Sequence, residues 1–600
     1  MKIIRKLIIV GMAVLMIVSL SACKSNNNSD DAATEETDTV IESNLSKIDN
    51  TKWSYNSDDD VYYQIGISYC ENPADENYEN LAIFVPGAYM KATDNGDGTY
   101  TCEINSEATV NGYTAESAPI VMPINTPGYS AQSALTSYSD VSEYMEAGFI
   151  YVHAGCRGRD AGAPAGVTDL KAAVRYIRYT DEDVPGDAEA IFTFGMSGGG
   201  AQSALMGSTG DSELYEPYLE QIGAVMNVSD AVLGSMCWCP ITNLDSADEA
   251  YEWMMGSTRS NLSDEEQVIS DRLAEAFAQY INNAGIKDEN GNVLTLQESE
   301  EGIYQAGSYY DYMKALIERS LNNFLADTSF PYDASSSSNG GHGAGMPSGG
   351  GPGDGNMPDG EAPSGNFPGR SEDSSSEGTD YEDIDDIERN DTSSGLSLSG
   401  TYETAQDYID ALNANGEWVS YDASTNTVSI TSIEDFVKNL KSASKNLGAF
   451  DQLDAGQGEN TLFGYGDGNG AHFDEILAGI LSDLGNEYAD EYASDLAKTD
   501  SVGNSVDVRL DMYTPLYYLL ESSDGYGDST VAKYWRIRTG INQGDCALST
   551  EMNLALALEN TDSVESVDFE TVWGQGHTQA ERSGNSSDNF IAWVKECTKN

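Results

Sequence analysis

The sequence predicts an α/β fold built on a mostly parallel sheet and interrupted by one long inserted region. Three observations lead there. The apolar residues 190–194 break at Gly195-Met196-Ser197-Gly198-Gly199 and resume as a small-residue helical stretch through Met206. That pattern puts a serine on a sharp strand-to-helix turn, its hydroxyl lifted above the sheet and the next N–H free for a bound oxyanion. Ahead of it, the apolar runs 118–124 and 148–152 and the helical pattern 167–179 alternate as strand, strand, helix, which suits a buried parallel sheet. Strand-like sequence then stops near Pro240 and returns near Val531, so the chain between them leaves the sheet.

Taken in order, the chain begins with Lys2, Arg5 and Lys6, an apolar run over 7–20, and Leu20-Ser21-Ala22-Cys23. This is a secretory signal whose apolar run is short of the roughly 20 residues a spanning helix needs. It resembles bacterial lipoprotein signals, which implies that residues 1–22 are removed, that Cys23 is lipidated, and that the protein is anchored to the cell membrane outside the cytoplasm. Residues 23–50, rich in Ser, Asn and acids, read as a flexible tether. Residues 51–240 form the first part of the core, 241–530 the insertion and 531–600 the rest of the core. Within the insertion, 334–400 is a tract of Gly, Ser, Pro and acids that buries too little apolar surface to order itself, so a disordered loop is expected.

Composition narrows the partners. The chain has 99 acidic and 30 basic residues, a net charge of −69, which excludes binding to nucleic acid and other polyanions. Asn95-Gly96-Asp97-Gly98 lacks the closing glutamate of a calcium loop and is expected to be a hairpin turn. Seven cysteines follow Cys23, so at least one is free; Cys70 and Cys102 could pair, and Cys237 and Cys239 read as core thiols. No zinc-type spacing is present, and neither a metal nor another cofactor is called for.

A serine nucleophile needs a base, and the chain has only four histidines. His342 lies in the low-complexity tract, His472 in the insertion, and His153 precedes the serine. His577 remains. It follows a strand-like run at 567–573 and the break Gly574-Gln575-Gly576, and precedes a final helix around 589–594, the order expected of serine, acid and histidine on such a sheet. The acid should follow the preceding strand, 534–540, whose turn Asn542-Gln543-Gly544-Asp545 offers Asp545; Asp562 is the alternative. Ser549 can cap the helix 549–558, which frees the aspartate. For the oxyanion, backbone N–H groups of Gly128 or Tyr129, after the strand ending at Ile124, are expected to act with that of Gly198. Residues 153–160, at the next strand end, either line the pocket or are structural.

The turn Asn542-Gln543-Gly544-Asp545, the segment Gly576-His577-Thr578-Gln579-Ala580-Glu581-Arg582, and Cys239-Pro240-Ile241-Thr242-Asn243-Leu244-Asp245 together resemble the bacterial tannase-type branch of the α/β-hydrolases. The resemblance covers most of the chain from about residue 80 onward. It implies an α/β-hydrolase fold with a lid, a Ser197-His577-Asp545 triad, a small-molecule ester substrate and no cofactor. Fungal tannases and related feruloyl esterases join nucleophile and histidine through cysteines beside each; Met196 and Thr578 hold those places here, which excludes that subgroup. The family grips galloyl hydroxyls with a lysine, a glutamate and an acid two residues past the catalytic aspartate. Lys445 and Glu459 match the first two, and Ala547 replaces the third. The implied substrate is an aromatic ester with fewer ring hydroxyls. Two other readings stay open at this point: a peptidase on the same fold, and a non-catalytic ligand-binding lipoprotein.

Overall fold

Nine strands form the central sheet of the computed structural model, which describes residues 43–334 and 398–599. The signal, Cys23, most of the tether, and nearly all of the low-complexity tract with His342 lie outside the described residues. In chain order the strands are β1 (Ser54–Asn56), β2 (Val61–Ser68), β3 (Asn80–Pro86), β4 (Pro119–Ile124), β5 (Ile150–Ala154), β6 (Asp187–Met196), β7 (Gly234–Trp238), β8 (Tyr534–Gly540) and β9 (Ser566–Val572). Across the sheet they run β1-β2-β3-β5-β4-β6-β7-β8-β9. The pairings β1–β2, β2–β3 and β3–β5 are antiparallel, and every pairing from β5 to β9 is parallel. β4 and β7 are buried at every residue, which is why they read as continuous apolar runs; β9, at the edge, is buried only at its last two residues.

Helix α1 (Ala165–Tyr179) crosses from β5 to β6, and α2 (Gly198–Ser208) leaves β6. The insertion contributes α3 (Ala247–Met255), α4 (Asp264–Ala284), α5 (Ser308–Asp327), α6 (Ile433–Leu440) and α7 (Gly458–Leu462) among its helices; α8 (Ser549–Glu559) links β8 to β9, and α9 (Ser586–Cys597) closes the chain. One face of the sheet packs on α9 through aromatic pairs, Phe194 with Phe590 and Phe192 with Trp593, at ring-centroid separations of 4.3 and 5.5 Å. The other face carries α1, α2 and the insertion. The insertion leaves after β7 and rejoins at β8, as its composition suggests. The described residues nevertheless group as one body, so the insertion shares its core with the sheet. The low-complexity tract starts and ends on an antiparallel pair, Tyr332–Asp333 with Thr401–Tyr402. Asn95-Gly96-Asp97-Gly98 joins the antiparallel strands Met90–Asp94 and Tyr100–Ile104, as a hairpin turn should.

Two readings need correcting. Cys70 and Cys102 are not bonded: all seven described cysteines are free thiols. Ser549 does not cap α8, because it is already the first helical residue and Leu548 holds the capping place without a side-chain bond. Helix α1 is itself packed inside the fold. Its charges are buried and paired: Lys171 Nζ lies 2.7 Å from Asp230 Oδ1, Arg175 Nε 2.8 Å from Asp230 Oδ2, and Arg157 Nη2 2.6 Å from Asp169 Oδ1. Asp230 is 1% exposed, and removing one partner of such a group leaves its cations desolvated and uncompensated. Asp230→Ala is therefore expected to lower stability by about 3–5 kcal/mol, read as an earlier denaturant midpoint by circular dichroism. A shift below about 0.5 kcal/mol would mean that Glu216 and water compensate fully.

Candidate active site

The serine turn is forced by how closely three segments pass. A β-carbon at Gly199 would lie 2.1 Å from the Ile124 carbonyl oxygen, and one at Gly195 would lie 2.5 Å from that of Gly199. Only glycine lets the end of β6, the start of α2 and the end of β4 meet there. Between them Ser197 adopts φ 59° and ψ −123°, a conformation that costs a non-glycine residue about 1–3 kcal/mol. Neighbours hold it there: its N–H donates to the Trp238 carbonyl at 3.0 Å, and its carbonyl accepts from Ala201 at 2.9 Å and from Ile241 at 3.3 Å. Gly198 N–H follows at the first position of α2, where no intrahelical partner exists.

The turn after β4 lies against this elbow. A β-carbon on Gly198 would come within 2.5 Å of both the Thr126 carbonyl oxygen and the Tyr129 nitrogen. Gly128 and Tyr129 both have positive φ, 54° and 60°, and the turn closes by giving the Tyr129 N–H to the Thr126 carbonyl at 2.9 Å. That corrects the expectation that either N–H could serve an oxyanion: Tyr129's is engaged, and Gly128's is the candidate that remains with Gly198's. Arg159 Nη1 donates to the Gly128 carbonyl at 2.8 Å, so part of the 153–160 segment braces this turn, while Arg157 is held by Asp169.

Asp545 and His577 follow β8 and β9, at the same carboxyl edge of the sheet as Ser197. The two loops are tied by the Asn542 N–H, which donates to the Gln575 carbonyl at 3.0 Å. Cys239, just past β7, links the elbow to the histidine loop: its preceding carbonyl receives the Ser197 N–H, and its thiol lies 3.2 Å from the Thr578 carbonyl oxygen. Glu581 pins the far end of that loop, with Arg536 Nη1 and Nη2 each 2.6 Å from its carboxylate and Trp238 Nε1 at 3.0 Å. His577 Nδ1 is 3.6 Å from Asp545 Oδ2 and 2.7 Å from Gln543 Oε1. The glutamine contact was not foreseen from the sequence, although Gln543 stands inside the turn that singled out Asp545.

The other described histidines are occupied elsewhere. His153 Nε2 lies 2.9 Å from the Ser133 carbonyl oxygen, and His472 Nδ1 lies 2.8 Å from Asp451 Oδ1 with its ring stacked on Tyr492. Among the described residues no cluster of three or more His, Cys, Asp or Glu side chains is arranged to hold a metal ion.

Two lysines of the insertion reach toward His577. Lys441, fully buried at the end of α6, donates to the Gln543 carbonyl; Lys445 sits over the Phe450 ring at 3.9 Å. Glu459, on α7, is 8% exposed and acts electrostatically on Tyr129, in the turn after β4. Ala547 is buried two residues past Asp545. Burial lowers the His577 pKa; Asp545 opposes this, and Lys445 and Lys441 reinforce it. A lowered value keeps the imidazole neutral, hence able to accept a proton, to lower pH. The His577 titration, followed by NMR, should have its midpoint below the ordinary 6.5. In Lys445→Ala it should move upward, since losing a nearby cation favours the imidazolium; an unmoved midpoint would put that ammonium out of electrostatic reach.

Comparison with known proteins agrees with this architecture. The BD-FAE family profile matches residues 108–284, the stretch that contains the elbow. The structure is similar to that of Fusobacterium nucleatum tannase, at 26% identity and a TM-score of 0.63 over 90% of this chain and 95% of that one. It is also similar to the tannin acyl hydrolase from Lactobacillus plantarum, at 24% identity and a TM-score of 0.60, covering 90% and 94%. A tannin acyl hydrolase in complex with ethyl gallate gives the same values. No curated protein sequence matches the chain. With its parallel sheet, its elbow after β6 and its insertion between β7 and β8, the chain has the α/β-hydrolase fold in its tannase-like form, with its similarities in the tannase and BD-FAE branch.

Proposed function

We propose that the protein is a serine esterase that hydrolyses esters of phenolic acids, with Ser197 as nucleophile, His577 as general base and Asp545 as the charge behind it. The observation that carries this reading is the strained Ser197 turn at the same sheet edge as the His577–Asp545 pair. With Nδ1 committed to the groups behind it, Nε2 is left for the serine. Ser197 Oγ attacks the ester carbonyl as His577 takes its proton. The oxyanion is met by the Gly198 and Gly128 N–H groups, where loss of one donor typically costs about 10²–10³ in turnover. The imidazolium then protonates the departing alkoxide, and water, deprotonated by the same imidazole, releases the acid and restores Ser197.

Lys445 and Glu459 come from the insertion, one acting on His577 and the other on Tyr129, and we assign them the ring hydroxyls of an aromatic acyl group. A tannin acyl hydrolase of the same fold binds ethyl gallate. Ala547 offers no carboxylate to a third ring hydroxyl, which favours acyl groups with fewer hydroxyls. We place the enzyme outside the cytoplasm, tethered by lipid on Cys23; metabolic labelling with a fatty acid should mark the wild type and not Cys23→Ala, and an unlabelled wild type would remove the lipid from the proposal.

Initial rates on methyl gallate, methyl ferulate and a simple acetyl ester test the chemistry. Ser197→Ala should lose at least about 10³-fold on every cleaved ester; full activity in that variant would sink the reading. On the upper plateau of each enzyme's own pH–rate profile, Lys445→Ala should lose aromatic-ester cleavage and keep that of the acetyl ester. Equal loss on both would make Lys445 structural.

A further inference from the structure

The two groups behind His577 are unequal, and the nearer one is not the carboxylate. Gln543 is 1% exposed, and its amide is held at both ends. Its Nε2 lies 2.5 Å from Glu551 Oε1 and 2.7 Å from Thr539 Oγ1, while its Oε1 lies 2.7 Å from His577 Nδ1. The Thr539 hydroxyl and the Cys546 thiol donate to the same Glu551 oxygen, at 3.0 and 3.4 Å, so that oxygen is the shared acceptor of the cluster. Exchanging the amide's oxygen and nitrogen would set acceptor against acceptor at 2.5 Å. The backbone carbonyl of Gln543 is anchored as well, by the buried Lys441 ammonium. An amide oxygen facing Nδ1 requires a proton on Nδ1. Asp545 Oδ2, at 3.6 Å, is beyond hydrogen-bond length and still close enough for strong Coulombic attraction.

We propose that the two duties usually combined in one triad carboxylate are divided in this protein: Gln543, oriented by Glu551 on α8, is the positioning residue that fixes the His577 tautomer, and Asp545 supplies the charge that stabilises the imidazolium. This rests on the Ser197–His577 reading above and adds to it. In a serine protease triad the carboxylate-to-amide change costs about 10⁴ because the new amide selects the wrong tautomer. Here the tautomer is set by an amide that cannot turn.

The experiment uses ¹⁵N-histidine labelling of the protein, whose four histidines give a sparse spectrum. In Asp545→Asn, His577 should remain protonated on Nδ1, and kcat on the best aromatic ester should fall by about 10- to 100-fold, well short of the 10⁴ of a single-carboxylate triad. In Gln543→Met, His577 should lose its fixed Nδ1–H, and kcat should fall by at least about 100-fold with KM within a factor of about 3, at unchanged circular dichroism. A shift of His577 to the Nε2–H tautomer in Asp545→Asn would overturn the proposal, even if Gln543→Met does not fold. So would a Gln543→Met protein that keeps both its tautomer and its kcat. The tautomer readout needs no turnover, so it stands apart from the Ser197→Ala test: activity surviving in Ser197→Ala discards the nucleophile and leaves the assignment of the histidine's partner to be judged on the spectrum alone.

Discussion

The site depends on one close passage of backbone, where β4, β6 and α2 meet without side chains between them. Gly195 and Gly199 allow the approach, and Ser197 is held between them in a backbone conformation it would not choose alone. Everything that must act together is placed relative to this point. The Trp238 carbonyl that receives the Ser197 N–H fixes the elbow to β7, and Cys239, the next residue, touches the histidine loop. The turn carrying Gly128 packs against Gly198. The strain is local, while the restraints come from four separate segments, so the conformation is over-determined by structure that is stable for other reasons.

Much of this was legible in the sequence because it rests on local pattern. The strands β4, β6 and β8 are runs that parallel pairing buries on both faces, the elbow is a motif of small residues, and His577 stands out because the chain has so few histidines. What escaped notice depends on pairs far apart in the chain. Gln543 and Glu551 are eight residues apart, but the lysine that completes their surroundings, Lys441, comes from the insertion about a hundred residues earlier. No spacing rule brings that residue to β8. Helix α1 shows the same limit: Lys171 and Arg175 lie one turn apart on one helix, but the partner they share, Asp230, comes from the loop before β7. The Tyr129 N–H was consumed by its own turn, which a Pro-Gly sequence suggests but does not decide.

The charge distribution inverts what the composition suggests. The chain carries a net charge of −69, yet six of its cations lie inside: Lys171, Arg175, Lys441, Arg509, Arg536 and Arg538 are all at most 6% exposed. Each meets carboxylates or backbone carbonyls, as a desolvated cation must. The result is an acidic surface around an interior braced by cations, and one of them, Lys441, acts with the partly buried Lys445 on His577.

That placement has a consequence for the base itself. Lys441 and Lys445 disfavour the imidazolium, and so does burial, while Asp545 favours it. A base held at a lower pKa is neutral over a wider range of pH, but each proton it accepts is held less firmly, so the gain in available base is offset by a smaller driving force for proton transfer. Dividing the hydrogen bond from the charge eases that compromise. The amide of Gln543 keeps the ring in place without raising its basicity as a hydrogen-bonded carboxylate would, and Asp545, set back at 3.6 Å, contributes most when the ring becomes charged. In the proposed mechanism the arrangement thereby stabilises the transition state more than the resting state, which is the difference that accelerates a reaction.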